Sequence, residues 1–231
     1  MTNAARLRRY YRMHARIYDH TRWAFLFGRH GLPSALPHDL RPRRVLEVGC
    51  GTGAVLAGLA RAFPQARLEG LDLSEEMLQV AQRRLAPLGD RVRLRQHRFG
   101  DPDPAQAPPD LVVFSYALSM FGPEASAAIR HAASLLPSQG CVAVVDFHDT
   151  PVPWFARWME VNHVRMQAHL LPELRRSFHP TTDRVHRAYL GLWRWLTWVG
   201  RPAPQAVRNR CTWDSSSRAA DSSSVLAERN A

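Results

Sequence analysis

Two acids and three glycines lie close together in the first third of the chain, in an order suited to binding a nucleoside. An apolar run ends at Glu47, and glycines follow at every second position, Gly49, Gly51 and Gly53. A segment compatible with a helix comes next, and a second apolar run ends at Asp72. Glycines let the backbone approach a ligand without a Cβ clash, and an acid at a strand tip accepts the hydroxyls of a ribose. The order therefore predicts a nucleoside-containing cofactor bound by a strand–turn–helix–strand unit.

The spacing of the glycines discriminates between cofactors. A dinucleotide fold has the pattern G-x-G-x-x-G, with a helix N-terminus facing a pyrophosphate. Here the pattern is G-x-G-x-G, and Glu47 stands next to where a pyrophosphate would lie. A carboxylate repels phosphate and attracts a cation. S-adenosylmethionine has an amino group, a sulfonium and a ribose but no phosphate, so we expect this cofactor rather than NAD.

Three stretches resemble the motifs of class I S-adenosylmethionine-dependent methyltransferases. The residues E-V-G-C-G-T-G at 47–53 resemble the first motif, L-E-G-L-D-L-S at 68–74 the second, and D-L-V-V-F-S-Y at 110–116 the fourth. The resemblance implies a Rossmann-like α/β fold with a mostly parallel seven-stranded sheet, helices on both faces and an antiparallel last strand. The alternation of strand and helix patterns agrees with it. We expect strands at 45–49, 68–72, 91–97, 110–115 and 141–147, then a reversed pair at 185–189 and 194–200.

The resemblance also implies which residues hold the cofactor. The glycines approach its methionine part and its ribose, and Asp72 takes the ribose diol. Ser115 and Tyr116 face the cofactor and the mouth of the substrate site, whereas Asp101, after the third strand, lies near the adenine. A Tyr-Asp pair before the core, here with Tyr18, helps to close the site. The expected cofactor-binding set is Tyr18, Glu47, Gly49, Gly51, Gly53, Asp72, Leu73, Asp101 and Ser115.

Methyl transfer asks the protein for alignment and, where the acceptor is an amine, for a base. The cofactor carries the activated methyl group. An alkylamine is mostly protonated at neutral pH, because its pKa lies near the lysine value of about 10.4. A nearby base or desolvation must free its lone pair. The candidate catalytic residues are Tyr116, Asp146 and His148, which stand at the carboxyl ends of predicted strands.

Beyond the fold, the chain resembles bacterial lipid-headgroup N-methyltransferases. These enzymes trimethylate diacylglycerylhomoserine to a betaine lipid, and their relatives methylate phosphatidylethanolamine. The run S-Y-A-L-S-M at 115–120 and the run Y-Y-R-M-H-A-R-I-Y-D at 10–19 carry this resemblance. The aromatic segment 153–159, after the fifth strand, is a candidate acyl groove or a packing element. The resemblance implies a lipid acceptor and a cytoplasmic enzyme that works at the inner face of the membrane.

The segments at the two ends of the chain differ in composition from the core. Residues 1–36 are rich in arginine and aromatic residues, with an apolar stripe at helical spacing, and we expect a helical segment that closes over the cofactor or touches lipid. Residues 37–200 form the expected methyltransferase domain. From residue 201 serine, proline and arginine dominate, and the apolar content is too low to offset the ordering entropy. We therefore expect a disordered tail over 201–231.

The charge of the chain is one-sided. The net charge is +11, and all 31 basic residues are arginine. The lack of lysine indicates an effect of base composition, so the charge is compatible with an anionic membrane surface or nucleic acid without selecting either. The three cysteines form no disulfide framework and predict no metal site.

Two alternatives to the lipid hypothesis stay open. One is a methyltransferase of the same fold that acts on a soluble or quinone-like small molecule. The other is a nucleic-acid methyltransferase or a non-catalytic binding module. The run S-Y-A-L at 115–118 lacks the N/D-P-P-Y/F motif of base N-methyltransferases, which counts against methylation of a base.

Overall fold

The computed structural model of the protein describes residues 25–103 and 107–203. Tyr18 and most of the predicted N-terminal segment lie outside the described residues, as does the predicted tail from residue 204 onward. Within the described parts, no helix combines the length and the hydropathy needed to cross a membrane.

The centre of the fold is one seven-stranded sheet with the order β3-β2-β1-β4-β5-β7-β6. Strands β1 to β5 pair in parallel, and β7 runs antiparallel to both β5 and β6. The predicted fold class is therefore confirmed; of the two closing strands, β7 is reversed and β6 runs in the direction of β1 to β5. The strands are β1 Arg44–Val48, β2 Arg67–Asp72, β3 Val92–Gln96, β4 Leu111–Ser115, β5 Cys141–Asp149, β6 Phe178–Ala188 and β7 Trp193–Pro202.

Helices cover both faces of the sheet, because the central strands are apolar on both sides. In β4, Leu111 and Val113 join one buried cluster, whereas Val112 and Phe114 join the other. The first cluster takes in the helices after β1, β2 and β5, and the second takes in the helices after β4 and before β6. The helices are α1 Ala54–Ala62, α2 Glu75–Leu85, α3 Ala125–Leu135, α4 Pro153–Val161 and α5 Leu170–Ser177.

The last strand pair is longer than the pattern predicted. Strand β6 begins at Phe178 rather than at residue 185, and β7 ends at Pro202. The first half of β6 is polar and exposed, because this strand forms the edge of the sheet, so it shows no alternation that could reveal it. Pro180 lies where the register with β7 shifts, which is where an edge strand tolerates a residue without an N–H donor.

The topology places the site at the sheet's switch point. Strands β1 and β4 are neighbours although β2 and β3 separate them in the chain. The connection after β1 leads toward one edge of the sheet, and the connection after β4 leads toward the other. In open α/β sheets, ligands bind outside the carboxyl ends of the strands at such a point. The turn after β1 lies there, and Gly53 opens α1 directly behind it.

Replacing Gly53 with alanine should destabilise the fold for two independent reasons. Gly53 has φ +74°, and an added Cβ would lie 2.8 Å from Leu85 Cδ1 and 3.1 Å from Ala81 Cβ. A left-handed non-glycine residue costs about 1–2 kcal/mol, and overpacking costs about 1–3 kcal/mol. We expect Gly53→Ala to lower the free energy of unfolding by about 2–4 kcal/mol in urea titrations.

The matched control is Gly58→Ala, inside α1. The nearest atom to an added Cβ there is a guanidinium nitrogen of Arg61 at 4.0 Å. Alanine exceeds glycine in helix propensity by about 0.8–1.0 kcal/mol, so this change should leave stability unchanged or raise it. Equal losses in the two variants would show that crowding at Gly53 is not the cause.

Candidate active site

A cavity of about 370 Å³ opens at the carboxyl ends of β1, β2 and β4. The turn after β1, the end of β2, the loop after β3 and the first turns after β4 form its walls, and α3 closes one side. The volume falls in the range of small-molecule pockets. The lining residues include Gly49, Gly51, Asp72, Phe99, Tyr116 and His131.

Asp72 holds the turn of the first motif in place. Its Oδ2 accepts the Gly51 N–H at 2.8 Å, and its Oδ1 accepts the Ser74 N–H at 2.9 Å. Burial raises the pKa of Asp72, and the backbone donors oppose that rise. The Leu73 N–H also donates to this carboxylate, so three backbone donors occupy three of its about four lone-pair sites. The side chain lines the cavity, so the remaining site can accept a hydroxyl of a ribose.

Glu47 is a buried acid at the end of β1 and is not among the residues that line the cavity. Its side chain is 1% exposed, and among the described residues no hydrogen-bond partner contacts its Oε2. Burial raises the pKa of Glu47 well above its ordinary value, and the neighbouring Asp72 adds to the rise. A nearby cation would favour the charged form of both acids. This pair of carboxylates therefore fits a cationic nucleoside such as S-adenosylmethionine and disfavours a phosphate.

The three glycines of the turn serve different purposes. A Cβ on Gly49 would lie 2.8 Å from Ala117 Cβ, and one on Gly53 would meet α2 as described above, so these two permit packing. A Cβ on Gly51 would meet no protein atom within 4 Å, although Gly51 lines the cavity. Only Gly51 thus matches the prediction of a backbone left open for a ligand. Gly53 is not among the lining residues.

The predicted catalytic residues occupy three different places. Tyr116 lines the cavity, and its hydroxyl donates to the Phe27 carbonyl at 2.7 Å. Asp146 is fully buried behind the short helix 118–120 and accepts the Ser119 N–H at 3.1 Å. His148 lies two residues further along β5, and neither it nor Asp146 lines the cavity. Asp146 acts here as a support for the turn that carries Met120 into the cavity wall.

Tyr116 is held as a neutral phenol. Burial raises its pKa well above the usual value, and the charge of Asp146 adds to the rise. Its ring lies edge-on to Phe147 at 4.7 Å. Its backbone is left-handed, with φ 55°, an uncommon conformation for a bulky residue that is frequent at functional sites. A phenol that stays protonated can donate or accept a hydrogen bond but does not take up a proton.

The adenine end differs from the prediction at one residue. Asp101 is exposed and does not line the cavity; its carboxylate pairs with Arg98 at 3.0 Å. The lining residues there are instead His97, Arg98 and Phe99, with His131 from α3 packed edge-on against Phe99 at 4.8 Å. A sequence signal for Phe99 is its place in the short loop between β3 and Asp101. His131 gave no signal, because one histidine on an apolar helix face has no motif.

The other predicted cofactor residues lie around the turn. Leu73 and Ser115 line the cavity beside Asp72 and Tyr116. The Leu73 carbonyl accepts a hydrogen bond from the Gln96 side chain at 3.0 Å, which ties the end of β2 to β3. Contact with the cofactor stays a prediction for all these residues.

Asp146 should give the stability of the protein a pH dependence. Burial raises its pKa from 3.8 to about 6. Between these values the folded protein binds more protons than the unfolded chain, so the free energy of unfolding falls as the pH rises through this window. Asp146→Asn removes this contribution. From pH 4 to pH 7 the free energy of unfolding of the wild type should fall by up to about 3 kcal/mol relative to that of the variant. Parallel pH curves in urea titrations would contradict the assignment.

Comparison with known proteins identifies the segment that builds this site. Residues 45–140 match a family model described as a methyltransferase domain. The trans-aconitate 2-methyltransferase of Methylobacterium nodulans is 38% identical over 103 residues, which cover 45% of this chain and 38% of that enzyme. A tRNA1(Val) (adenine(37)-N6)-methyltransferase of Yersinia pestis is 35% identical over 101 residues, covering 41% of this chain and 40% of that enzyme. The matches thus span well under half of these relatives.

Solved structures share the fold at low identity. The N-methyltransferase NodS of Bradyrhizobium japonicum, in complex with S-adenosyl-l-homocysteine, has a TM-score of 0.61 and 17% identity, covering 75% of this chain and 85% of that chain. The 1,6-didemethyltoxoflavin-N1-methyltransferase of Burkholderia thailandensis has a TM-score of 0.61 and 19% identity, covering 87% and 88%. The predictions of a class I methyltransferase domain and of S-adenosylmethionine as its cofactor are confirmed. By this match, residues 45–140 are similar to a methyltransferase domain.

Proposed function

We propose that this chain transfers methyl groups from S-adenosylmethionine to the amine of a membrane lipid headgroup, with diacylglycerylhomoserine as the first candidate and phosphatidylethanolamine as the second. The observation that carries the proposal is an exposed apolar patch beside the cavity. The patch consists of Trp154 and Trp158 on α4 and of Tyr189 and Leu190 in the turn between β6 and β7. Their exposed fractions are 67%, 47%, 52% and 109%.

The patch is continuous through its underlying rings. Phe155 stacks on Trp158 at 5.6 Å and on Trp193 at 5.3 Å. Trp193 in turn lies 4.8 Å from Tyr189. The two parts of the patch, far apart in the chain, therefore form one surface. Aromatic rings with a polar edge are typical of residues at a membrane interface.

The patch leads to the predicted acceptor end of the site. The Tyr189 ring lies edge-on to Phe27 at 5.5 Å, and the Phe27 carbonyl accepts the hydrogen bond from Tyr116. A lipid whose acyl chains stay in the bilayer needs a short path from the surface to the methyl donor. The contacts from Tyr189 through Phe27 to Tyr116 connect the patch with the cavity wall, which supports an approach of the acceptor from this side.

The turn at Leu190 holds an exposed leucine in an unfavourable backbone conformation. Leu190 has φ 57° and Gly191 has φ 99°, and the Leu192 N–H donates to the Tyr189 carbonyl at 3.1 Å. Tight hairpin turns with positive φ at both central residues favour Asn-Gly, because asparagine tolerates the left-handed region. Leucine there costs conformational energy and leaves an apolar side chain fully exposed. A bilayer offers a compensating environment for that side chain.

Positive charge surrounds the patch. Arg157 on α4 and Arg187 at the end of β6 are exposed, and the whole chain carries a net charge of +11. Arginines near an anionic surface contribute about 1 kcal/mol each to binding. Apolar anchors with flanking arginines are typical of peripheral membrane proteins, which supports the proposal that the chain works at the inner face of the membrane.

The residues of the site divide the chemical task among them. Bound S-adenosylmethionine supplies an activated methyl group. Asp72 and Glu47 fix the position of the ribose and the cationic end, and Tyr116 orients the acceptor amine. The buried rings around Tyr116 exclude water, which disfavours the protonated amine and frees its lone pair. His148 is the candidate base, because burial lowers its pKa and keeps its ring neutral at physiological pH. It lies outside the cavity wall, so intervening groups must carry the proton to it.

The test compares each amine headgroup attached to a lipid with the same amine free in solution. Purified protein receives methyl-labelled cofactor with vesicles that contain diacylglycerylhomoserine or phosphatidylethanolamine, or with homoserine or ethanolamine in solution. The proposal predicts labelled lipid and little labelled soluble amine. Turnover of the soluble amines, of a carboxylic acid such as trans-aconitate, or of RNA in place of the lipids would replace the lipid assignment.

A further inference from the structure

We propose that Arg98 and Glu124 form an ionic clasp across the mouth of the cofactor cavity and that this clasp controls how fast the cofactor exchanges. Arg98 lies in the loop after β3, and Glu124 lies just before α3. Arg98 Nη2 lies 2.9 Å from Glu124 Oε2, and both residues line the cavity. The ion pair thus joins two walls of the cavity that no strand pairing connects.

Asp101 contacts Arg98 within the same loop, apart from the pair that spans the mouth. Its Oδ1 lies 3.0 Å from Arg98 Nη1, so the guanidinium is shared between an acid of its own loop and one of the opposite wall. The two acids together raise the pKa of Arg98, with Glu124 as the larger cause. The charge of Arg98 is therefore compensated by acids of the protein, and the ion pair forms without the cofactor. This gives Asp101 a role that differs from the predicted contact with adenine.

The clasp is built to open. Its three side chains are 45%, 47% and 52% exposed, for Arg98, Asp101 and Glu124. Exposed ion pairs contribute little to stability and are screened by salt. Each arm also has a glycine in the left-handed region two residues away, Gly100 with φ 100° and Gly122 with φ 62°. Glycines at these positions let both arms swing at low conformational cost.

A clasp that controls passage should change rates rather than affinity. We expect Glu124→Gln to raise both the association and the dissociation rate constant of S-adenosylhomocysteine by about two- to fivefold and to leave Kd nearly unchanged. Raising the salt from about 0.01 M to about 1 M should accelerate exchange in the wild type and have less effect in the variant. Stopped-flow fluorescence and calorimetry on the full chain measure these quantities without any methyl acceptor.

Matched variants separate the clasp from other effects. Asp101→Asn keeps the pair across the mouth and should leave both rate constants close to those of the wild type. Arg98→Gln combined with Glu124→Gln should be no faster than Glu124→Gln alone, because the two residues act through one contact. The proposal is wrong if Glu124→Gln weakens Kd at an unchanged association rate, if Asp101→Asn has the same effect as Glu124→Gln, or if neither change alters the rates. It rests on the cofactor cavity alone and stands whatever the acceptor is.

Discussion

Replacing Asp72 with alanine should weaken the binding of S-adenosylhomocysteine by at least about tenfold, because hydrogen bonds to a charged acceptor contribute about 1.5–3 kcal/mol each. The carboxylate faces the cavity and also holds the Gly51 and Ser74 N–H groups, so the variant loses both the ribose acceptor and part of the turn. Calorimetry measures the affinity, and circular dichroism verifies that the variant is folded. An unchanged affinity in a folded Asp72→Ala protein would remove Asp72 from the site.

Asp101→Ala is the matched control for this experiment. Asp101 is also an acid after a strand, but it is exposed and lies outside the cavity wall, so the affinity should stay within about threefold of the wild type, an effect below 1.4 kcal/mol. The pH adds a second readout. Burial raises the pKa of Asp72, and protonation removes the charged acceptor, so the affinity should fall as the pH falls, with a smaller slope in Asp72→Ala.

Removing the apolar patch should abolish binding to vesicles and spare the cofactor. Complete burial of a leucine side chain is worth about 1.5–3 kcal/mol, and the larger tryptophans bury more area. We expect Trp154→Ala with Trp158→Ala, or Leu190→Asn alone, to lower partitioning onto anionic vesicles by at least about tenfold per residue. Sedimentation with vesicles measures this loss. Calorimetry should show an unchanged affinity for S-adenosylhomocysteine, because no patch residue lines the cavity.

Leu190→Asn provides its own structural control. Asparagine tolerates the left-handed conformation that Leu190 adopts, so the variant should be as stable as the wild type or more stable by up to about 1 kcal/mol. A loss of vesicle binding in a stabilised protein cannot come from unfolding. Full vesicle binding and lipid methylation after loss of all the patch residues would show that another surface meets the bilayer.

The motif residues could be placed from the sequence because their local chemistry is distinctive. Glycines alternating after a buried acid leave few folds open, and Asp72 lies where the second strand predicts it. Ser74 caps α2, with its hydroxyl accepting the Met77 N–H at 3.2 Å, and serine is among the residues preferred at this position. The five parallel strands also lie within one or two residues of their predicted bounds. Strands β1, β4 and β5 are mostly apolar, whereas β3 alternates apolar and polar residues.

Contacts between distant segments could not be predicted in this way. The pairing of Arg98 with Glu124 depends on how the loop after β3 meets the start of α3, and no spacing in the sequence encodes it. The same holds for the patch, where α4 and the last hairpin meet through Trp193. Asp146 was predicted to be catalytic because it lies near the carboxyl end of a strand. In the structure it accepts the Ser119 N–H and supports the turn after β4.

The most direct test of the proposed lipid N-methylation identifies the molecule that receives the labelled methyl group. The protein is incubated with methyl-labelled S-adenosylmethionine and a total lipid extract, together with the water-soluble metabolites of the same cells, and the organic and aqueous phases are separated. The account predicts label in an amine-bearing lipid of the organic phase, with the yield rising with anionic lipid and falling with ionic strength. Label confined to a soluble phenol, quinone precursor or acid in the aqueous phase would contradict it.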